Sequence, residues 1–247
     1  MSREAKYQQI ADDLREAITS GRFAAGDRLP GENALMERYA VARMTARQAL
    51  AQLQQEGLTT TRTGVGVFVR GFQPIIRQGV ERLSRAQWGS GRSIWDVDAT
   101  TRERTVDRIS VSEAAARYQV AAALDLAEGS HVLVRDRRYL LDGKPVMLGT
   151  SSYPADIARG TAIAEHDTGP GGVYKRLAEL GHEPVRFRED IRGRMPSAPE
   201  RDALELEPGT PVLTIFRTAF TADGTPVEFT EMTLDSATYV LRYDFNA

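Results

Sequence analysis

Two arginines in the first part of the chain have the type and spacing needed to contact nucleic acid. Arg43 and Arg47 are four residues apart, so on a helix both side chains leave the same face. Each guanidinium offers paired donors in a fixed plane, which suits guanine edges and phosphates. Thr45 and Gln48 stand beside them and are able to bond a phosphate or a base. Taken alone, two such arginines are more often ordinary surface ion pairs, so the surrounding elements decide the interpretation.

Those elements are three helices followed by a hairpin. Apolar residues recur at helical spacing in three groups, and Gly21 and Gly57 end the first and the third. The groups are Tyr7, Ile10, Leu14 and Ile18; Leu35 and Tyr39; and Ala46, Ala49, Leu50 and Leu53. The runs 58–62 and 67–69 are then β-rich and flank the tip TGVG, which predicts a hairpin. Three helices and a two-stranded wing predict a winged helix-turn-helix, in which DNA contact by the arginines becomes the favoured interpretation.

Residues 7–69 resemble the DNA-binding module of the GntR-type bacterial regulators. The matching residues are Tyr7, Ile10, Gly21, Gly26, Asp27, Arg28, Leu29, Pro30, Glu32, Val41, Arg43, Thr45, Arg47, Ala49, Leu50, Leu53, Glu56, Gly57, Leu58, Gly64, Gly66, Phe68 and Val69. The resemblance implies that the positions of Arg43, Thr45 and Arg47 contact DNA and that the wing tip enters the minor groove. Glycines at the tip would let the backbone approach a groove closely.

The chain departs from this family at two positions that normally help to hold DNA. Ala42 stands where the family usually has Ser or Thr, and Asn33 stands where it often has Arg. These departures concern the usual operator contacts rather than DNA binding itself. The residues expected to contact DNA are Asn33, Arg43, Thr45, Arg47, Gln48, Arg62, Gly64 and Gly66.

Composition excludes several classes of protein. The 247 residues include no cysteine, which excludes disulfides, thiol catalysis and cysteine-bound metals. No apolar run reaches the ~18 residues of a membrane span, and the charged first helix lacks a signal-peptide pattern. We therefore expect a cytoplasmic protein without a membrane partner. The net charge of −2 does not by itself indicate nucleic-acid binding.

The second half of the chain contains an internal repeat at an offset of 80 to 81 residues. The segment LDLAEG at 124–129 is echoed by LELEPG at 204–209, and DGKPV at 142–146 by DGTPV at 223–227. Arg137 is likewise echoed by Arg217. Each copy is expected to contain a helix, a turn and an Asp-Gly hairpin, with the first helix beginning at Ser112-Glu113 and the second at Ser197. A further helix is expected at Val173–Leu180. Two hairpins of this kind favour an antiparallel sheet in an α+β fold.

This half resembles the UTRA effector-binding domain of the HutC subfamily, a fold similar to chorismate lyase. The motifs that carry the resemblance are Glu81-Arg82, the hairpin Asp142-Gly143-x-Pro145-Val146, Tyr153-Pro154, residues 172–181 and Pro226-Val227-Glu228. The resemblance implies a small-molecule pocket beside the sheet and a homodimer. The expected organisation is a winged helix-turn-helix at 1–70, a linker at 71–80 and a UTRA-like domain at 81–247. Alternatively, Pro74, Ile75 and Ile76 add a short strand to the second domain.

Arginines near residue 137 are candidates for binding an acidic effector. Strand alternation places Arg135 and Arg137 on one face and Arg138 on the other. Arg137 and Glu228 match pocket positions of sugar-phosphate-binding members, whereas Tyr139, Gly149 and Leu234 replace polar residues of those members, which favours a more apolar ligand. Ordinary solvated strand positions are the alternative. The expected effector-binding residues are Arg135, Arg137, Tyr139, Glu189 and Glu228.

Other candidates have plainer interpretations. His131, His166 and His182 lack metal-ligand spacing, and we expect no metal and no cofactor. The loop 167–172 is similar to a phosphate-binding loop but lacks the Lys and Ser/Thr of a nucleotide site, so a loop with a helix cap is the better interpretation. Trp88 and Trp95 lie in a stretch expected to form a mobile lip.

The sequence therefore predicts a cytoplasmic, homodimeric repressor that binds operator DNA and is released by a small-molecule effector. The alternative is a chorismate-lyase-like enzyme domain fused to a DNA-binding module. No catalytic constellation supports that alternative in the sequence, and we expect no enzyme activity.

Overall fold

A computed structural model describes residues 5–71, 75–79, 81–91, 94 and 103–244. The chain divides between residues 73 and 74 into two compact units, with the short segment Leu206–Thr210 assigned to the first. Within the described part of the chain, no helix combines the length and the apolar character that a membrane crossing requires.

The first unit contains three helices around one apolar core. They are α1 (Lys6–Thr19), α2 (Glu32–Tyr39) and α3 (Arg43–Gln55). Ile10, Leu35 and Leu53 are fully buried where the helices meet. The side chains predicted to form the helical faces therefore supply the core, and the three predicted helices are confirmed.

Two strands complete this unit as a wing. β1 (Thr59–Arg62) and β2 (Gly66–Val69) pair antiparallel, and the tip predicted from its glycines joins them. The segment before α2 lies along the other edge of β2, where the amide of Leu29 donates to the carbonyl of Val67 at 2.9 Å. The observed architecture is the winged helix-turn-helix that the sequence predicts.

The second unit combines short helices with long strands. Its helices are α4 (Arg85–Gly89), α5 (Tyr118–Ala123), α6 (Ala155–Ala158), α7 (Gly172–Glu179) and α8 (Ala198–Ala203). Its strands are β3 (Ile75–Gln78), β4 (Arg104–Ala115), β5 (His131–Leu141), β6 (Lys144–Pro154), β7 (Arg186–Arg194), β8 (Val212–Phe220), β9 (Pro226–Asp235) and β10 (Tyr239–Arg242). Asp142 and Gly143 both adopt positive φ, 49° and 77°, which is the turn that a two-residue hairpin between β5 and β6 requires.

The described strands of this unit form a six-stranded antiparallel sheet with the order β4-β5-β6-β9-β8-β7, and β3 pairs with β10 beside it. The order is symmetric about the β6–β9 pair, because each strand of the first repeat has a counterpart in the second. The register agrees, since Arg137 lies opposite Gly149 and Arg217 opposite Thr230. A β-bulge follows Tyr139 in one copy and its equivalent, Ala219, in the other. The internal duplication is therefore visible in the sheet, and the α+β antiparallel fold class is confirmed.

Two sequence-based expectations need correction, and one alternative is supported. The helix expected to begin at Ser112-Glu113 begins instead at Tyr118, as α5. Ser112 and Glu113 belong to the end of β4, because they pair with Val134 and Leu133 and tertiary pairing overrides local helix propensity. The alternative of a short strand within the expected linker is supported, since Ile75–Gln78 form β3 and pair with β10. The expected mobile lip is wrong at Trp88, which is only 2% exposed and donates its indole N–H to the carbonyl of Leu83; Trp95 lies outside the described residues.

Candidate functional site

The N-terminal end of α3 carries the side chains predicted to contact DNA. A short turn separates α2 from α3, and Ala40 bends it in the left-handed region at φ 51°. Ala42 is the N-cap of α3 and supplies no side-chain hydrogen bond to the helix. The Ser or Thr that the family usually has here would supply one, so this departure costs α3 a cap.

Arg43 and Arg47 leave one face of α3, as their spacing predicts. Their side chains are 59% and 57% exposed. Both lie against Glu32, the first residue of α2. Arg47 donates Nε and Nη2 to the two carboxylate oxygens at 2.8 and 3.3 Å, and the Nε of Arg43 is 3.6 Å from Oε2. The ion pairs do exist, but both arginines keep more than half of their surface toward solvent.

The neighbouring polar residues surround this pair. Asn33 is exposed, and its Oδ1 accepts from Nη2 of Arg43 at 3.2 Å. Gln48 is exposed and Thr45 half-buried on the same helix. Asn33 thus contacts Arg43 directly, while Gln48 and the apolar Met44, 68% exposed, are further exposed residues of α3.

The wing carries the remaining predicted DNA contacts. The guanidinium of Arg62 lies over the ring of Phe68, 4.5 Å from its centre, which holds this cation at the base of the tip. Gly64 has φ 74° with open space where a Cβ would lie. Gly66 has φ 148°, and a Cβ there would come within 2.7 Å of Nε of Arg28. Both glycines are thus favoured by backbone conformation, whereas the contact at Gly66 is with the flexible end of the Arg28 side chain.

The second unit contains a small polar cavity between the sheet and α7. Its volume is about 80 Å³. Strand residues Arg137, Tyr153, Arg217 and Glu228 line one side of it. Thr168, Gly171, Gly172, Val173 and Tyr174, from the start of α7 and the preceding loop, line the other with Ile94. We call this space the polar cavity.

Glu228 is the hydrogen-bonding centre of the polar cavity. It is 3% exposed and accepts from the hydroxyls of Tyr153 and Tyr174 at 2.8 and 2.6 Å. Nη2 of Arg217, a fully buried side chain, lies 3.5 Å from the same carboxylate. Burial raises the pKa of both tyrosines, and the adjacent carboxylate raises it further. The two hydroxyls therefore remain protonated donors.

Arg137 completes the charge pattern of this cavity. Its Nη2 donates to Oγ of Ser151 at 2.5 Å, and its guanidinium lies 5.9 Å from the ring centre of Tyr139. Burial alone would lower its pKa, but Tyr139, Tyr153 and Glu228 outweigh that effect and raise it. Two guanidinium groups thus face one carboxylate, so the described lining has one positive charge in excess.

The start of α7 lines the opposite side of the cavity, where the amides of Gly171 and Gly172 already donate to the carbonyls of Gly91 and Gly169. Gly171 is the N-cap of α7 at φ 85°, and a Cβ there would lie 2.7 Å from the carbonyl oxygen of Trp88. Only glycine fits this position. Backbone N–H groups at a helix N-terminus favour an anion. The loop 167–172, interpreted from sequence as a loop with a cap, is both the cap of α7 and part of the cavity wall.

Arg135 and Arg138 do not line the polar cavity, and each is held by different partners. Arg135, 2% exposed, donates Nη1 to the carbonyl of Ile163 at 2.6 Å and Nη2 to that of His166 at 2.9 Å. These contacts fix the loop before α7. Arg138 pairs with Asp107 and donates Nη1 to the carbonyl of Ala203 at 3.1 Å. The alternation predicted for Arg137 and Arg138 is therefore present.

Glu189 lies outside the polar cavity, in a buried ion pair. Nη2 and Nη1 of Arg77, which is fully buried, bind its two oxygens at 2.5 and 3.1 Å, and the hydroxyl of Tyr243 donates to it at 2.7 Å. Burial would raise the pKa of Glu189, but the hydrogen bonds and charge of Arg77 hold it at about 2. Glu189 is also directly opposite Arg217 in the β7–β8 register, so it neighbours the cavity through that residue.

The sequence-based selection did not include Arg217, Tyr153 or Tyr174 among the effector-binding candidates. A signal for Arg217 was present in the repeat, because the duplication maps Arg137 onto it. Tyr153 belongs to the Tyr-Pro motif that carried the UTRA resemblance. Tyr139 is buried beneath Arg137 rather than lining the cavity. Of the five predicted effector residues, the structure places Arg137 and Glu228 together in the cavity wall.

Comparison with known proteins identifies both units. Residues 6–69 match the gntR family of bacterial regulatory proteins, and residues 100–239 match the UTRA domain. An HTH-type transcriptional regulator of Streptomyces coelicolor is 33% identical over 97% of this chain and 92% of its own length. The HTH-type transcriptional repressor NagR of Bacillus subtilis is 26% identical over 90% of this chain and 87% of its own.

Solved structures agree with this assignment. A crystal structure of a GntR-family transcriptional regulator superposes with a TM-score of 0.67 at 26% identity, covering 99% of this chain and 98% of that chain. PhnF of Mycobacterium smegmatis, at 23% identity, shares the fold with a TM-score of 0.56 over 96% of this chain and 99% of that chain. The chain belongs to the GntR family of bacterial regulators and carries the UTRA domain of the HutC subfamily. It is a ligand-responsive, DNA-binding transcription regulator.

Proposed function

We propose that this regulator is a homodimeric, cytoplasmic repressor that leaves its operator when a small acidic effector enters the polar cavity. The observation that carries the proposal is the convergence of Arg137, Arg217 and the N-terminus of α7 on one buried space. Such a combination of guanidinium forks and helix amides is suited to a carboxylate or phosphate group. The organisation proposed is a DNA-binding domain at 1–70, a connection at 71–80 and an effector domain at 81–247.

The excess positive charge limits the chemistry of the ligand. A single anionic group would neutralise the excess positive charge of the described lining. Glu228 would accept a hydrogen bond from a hydroxyl or amine of the same ligand. At about 80 Å³ the cavity holds only such a group, since pockets for whole drug-sized ligands span roughly 300–1,000 Å³. A larger effector therefore requires the cavity to widen, and its binding then carries a conformational change with it.

The proposed route of that change is the ion pair at β3. The chain enters the second unit as β3, where Arg77 is bound to Glu189. Glu189 lies opposite Arg217, and Arg217 faces Glu228. An anion that binds Arg217 changes the electrostatic potential at Glu189. This weakens or strengthens the ion pair with Arg77 that holds β3. A displaced β3 would change the spacing or mobility of the two DNA-binding domains of a dimer.

The DNA contacts proposed are those of α2, α3 and the wing. Arg43 and Arg47 supply the donors for base edges, Thr45 and Gln48 bond phosphate or base, and Asn33 supports Arg43. Arg62, Gly64 and Gly66 place the wing tip in a groove. A dimer then presents one recognition helix to each half of a pseudo-palindromic operator, which the family resemblance favours.

Two measurements test the proposal. DNA fragments retained by the purified protein should be sequenced, starting with the region upstream of its own gene, and should share an inverted repeat. Small phosphates and carboxylates should then be screened for a rise in melting temperature, because a ligand of the native state stabilises it. A compound that stabilises the protein should weaken its binding to the recovered fragments. Compounds that bind but leave DNA affinity unchanged would contradict release by the effector.

We propose no catalytic activity for the cavity. The relatives are transcription regulators, and Glu228 is held by three donors rather than placed to accept a proton from substrate. Incubation of the purified protein with each stabilising compound, followed by mass analysis, tests this point, since turnover would favour the chorismate-lyase-like alternative.

A further inference from the structure

Glu32 joins the two arginines of α3 into a single cluster. It is the first residue of α2, and its carboxylate reaches across the turn to α3. Oε1 and Oε2 accept from Nε and Nη2 of Arg47 at 2.8 and 3.3 Å, and Oε2 lies 3.6 Å from Nε of Arg43. One carboxylate therefore binds Arg47 through two hydrogen bonds and lies within ion-pair distance of Arg43, whose Nη2 donates to Asn33.

The cluster remains open to DNA. The Glu32 side chain is 29% exposed, and those of Arg43 and Arg47 are 59% and 57% exposed. A guanidinium has five N–H donors, and the bonds to Glu32 use two from Arg47. Three N–H donors of Arg47 are left by these bonds, so a base edge or a phosphate is able to bind while Glu32 stays in place.

We propose that Glu32 is a positioning residue for sequence discrimination, an inference that rests on the DNA contacts proposed above for Arg43 and Arg47. It presents Arg43 and Arg47 in one arrangement before DNA arrives, and it opposes their capture by the phosphates of unmatched DNA. Ordering flexible side chains in advance reduces the entropy lost on specific binding. Non-specific affinity comes from cations meeting phosphates, so a carboxylate between two arginines weakens it.

Glu37 provides a matched control. It lies on α2 as Glu32 does, is exposed, and carries the same charge. Glu32→Gln and Glu37→Gln therefore change the net charge of the DNA-binding unit equally. The dissociation constants of the full-length protein should be measured by fluorescence anisotropy on two duplexes of equal length. One is a duplex recovered from genomic fragments that the wild type retains, and the other is its scrambled sequence.

The two substitutions should change the affinity for the recovered duplex in opposite directions. Both should bind the scrambled duplex more tightly, by about twofold to threefold, because one negative charge is lost. Glu37→Gln should also bind the recovered duplex more tightly, by the same factor, so the ratio of the dissociation constants for the scrambled and recovered duplexes stays the same. Glu32→Gln should instead weaken the recovered duplex and lower that ratio by about tenfold, the scale of ordering two long side chains. Equal ratios for the two variants would overturn the proposal.

A double-mutant cycle shows whether Glu32 acts through its arginine partner. In an Arg47→Ala background, Glu32→Gln should change the ratio by no more than about threefold, because the main partner is gone. A tenfold loss that persists in that background would overturn the proposal. Glu32→Asp serves if Glu32→Gln lowers the melting temperature. It keeps the charge but withdraws the carboxylate, so the ratio should fall while scrambled-duplex affinity stays unchanged, and an unaltered ratio would again overturn the proposal.

Discussion

Arg137 on β5 and Arg217 on β8 occupy equivalent positions of the two repeat units and line the same cavity. Their surroundings have diverged. Arg137 meets Ser151 and is half-buried, whereas Arg217 is 1% exposed and faces Glu228. The duplicated positions thus supply two cations to one site, of which Arg137 is the more accessible to an incoming ligand.

Replacing Arg137 with alanine should weaken binding of an acidic effector and leave operator affinity intact. The expected loss is roughly 1.5–3 kcal/mol, because a partly buried anion loses charge-assisted hydrogen bonds. Isothermal titration calorimetry with the stabilising compound from the screen measures it. Arg138→Ala is the charge-matched control, since Arg138 binds Asp107 and Ala203 instead. A larger loss for Arg138→Ala would show that the wrong face of β5 has been assigned to the ligand.

Alanine at Arg43 or Arg47 should cost about 1–3 kcal/mol of operator affinity for each residue that meets a base edge. Thermal stability should change little, because neither side chain lies in the core. Arg22→Ala removes an equal charge from an exposed position outside α3 and should affect recovered and scrambled duplexes alike. Wild-type affinity in both Arg43→Ala and Arg47→Ala would remove these residues from the DNA contacts.

Serine or threonine at Ala42 should stabilise the DNA-binding unit. The side-chain oxygen would accept from an amide in the first turn of α3, which now lacks a side-chain cap, and a cap contributes about 0.5–2 kcal/mol. Urea unfolding followed by circular dichroism gives the difference. Ala51→Ser makes the same change at an exposed position inside α3 and should leave the unfolding free energy unchanged or lower it slightly. Equal effects at both positions would argue against capping as the cause.

The stability contributed by Glu189 should depend on pH. Its pKa lies at about 2 in the folded protein, below the ordinary 4.5, so its contribution is complete above about pH 4.5 and is lost as pH falls toward 2. The contribution should amount to roughly 3 kcal/mol at neutral pH. The gap in unfolding free energy between wild type and Glu189→Gln should therefore narrow from pH 6 to pH 3. The exposed Glu128→Gln should show no such trend, and a constant gap for Glu189→Gln would contradict the assigned pKa.

Dimerisation should reside in the second unit. A fragment of residues 73–247 should sediment as a dimer, whereas residues 1–72 should fold as a monomer that binds the operator weakly. The weak binding follows because the fragment loses the gain from linking two half-sites. Analytical ultracentrifugation of both fragments and of the full chain decides the matter. A monomeric 73–247 fragment would place the dimer contacts elsewhere.

Much of the first unit was predictable because its features are local in sequence. The apolar spacing of Ile10, Leu35 and Leu53 places each on its buried helix face, and the tip glycines mark the wing. The ion pairs of Glu32 were not predictable, since they depend on the angle between α2 and α3. The error at Ser112-Glu113 has a similar origin, because helix-favouring residues were paired into β4 by a neighbouring strand.

The polar cavity was harder to predict because its residues meet only through the sheet. The sequence identified Arg137 and Glu228 by resemblance, and strand alternation correctly separated Arg138 from Arg137. The ion pair that holds Glu189 outside the polar cavity was not predictable, because the pairing of β3 with β10, which brings Arg77 to it, has no local signal. The 80-residue repeat offset contained the information that Arg217 is the partner of Arg137, but not that the two converge.

The order of the sheet also has a consequence for how the second unit folds. In the described sheet, strands that follow one another in sequence pair within each half, and the β6–β9 pair alone joins the halves. Pairing within a half closes short loops. The β6–β9 pair, in which Thr150 lies opposite Glu231, forms only after both halves are present. Arg137 and Tyr153 come from one half, and Arg217 and Glu228 from the other. A bound ligand would therefore link the two halves across the β6–β9 pair. The strand pair that forms last would then separate more slowly.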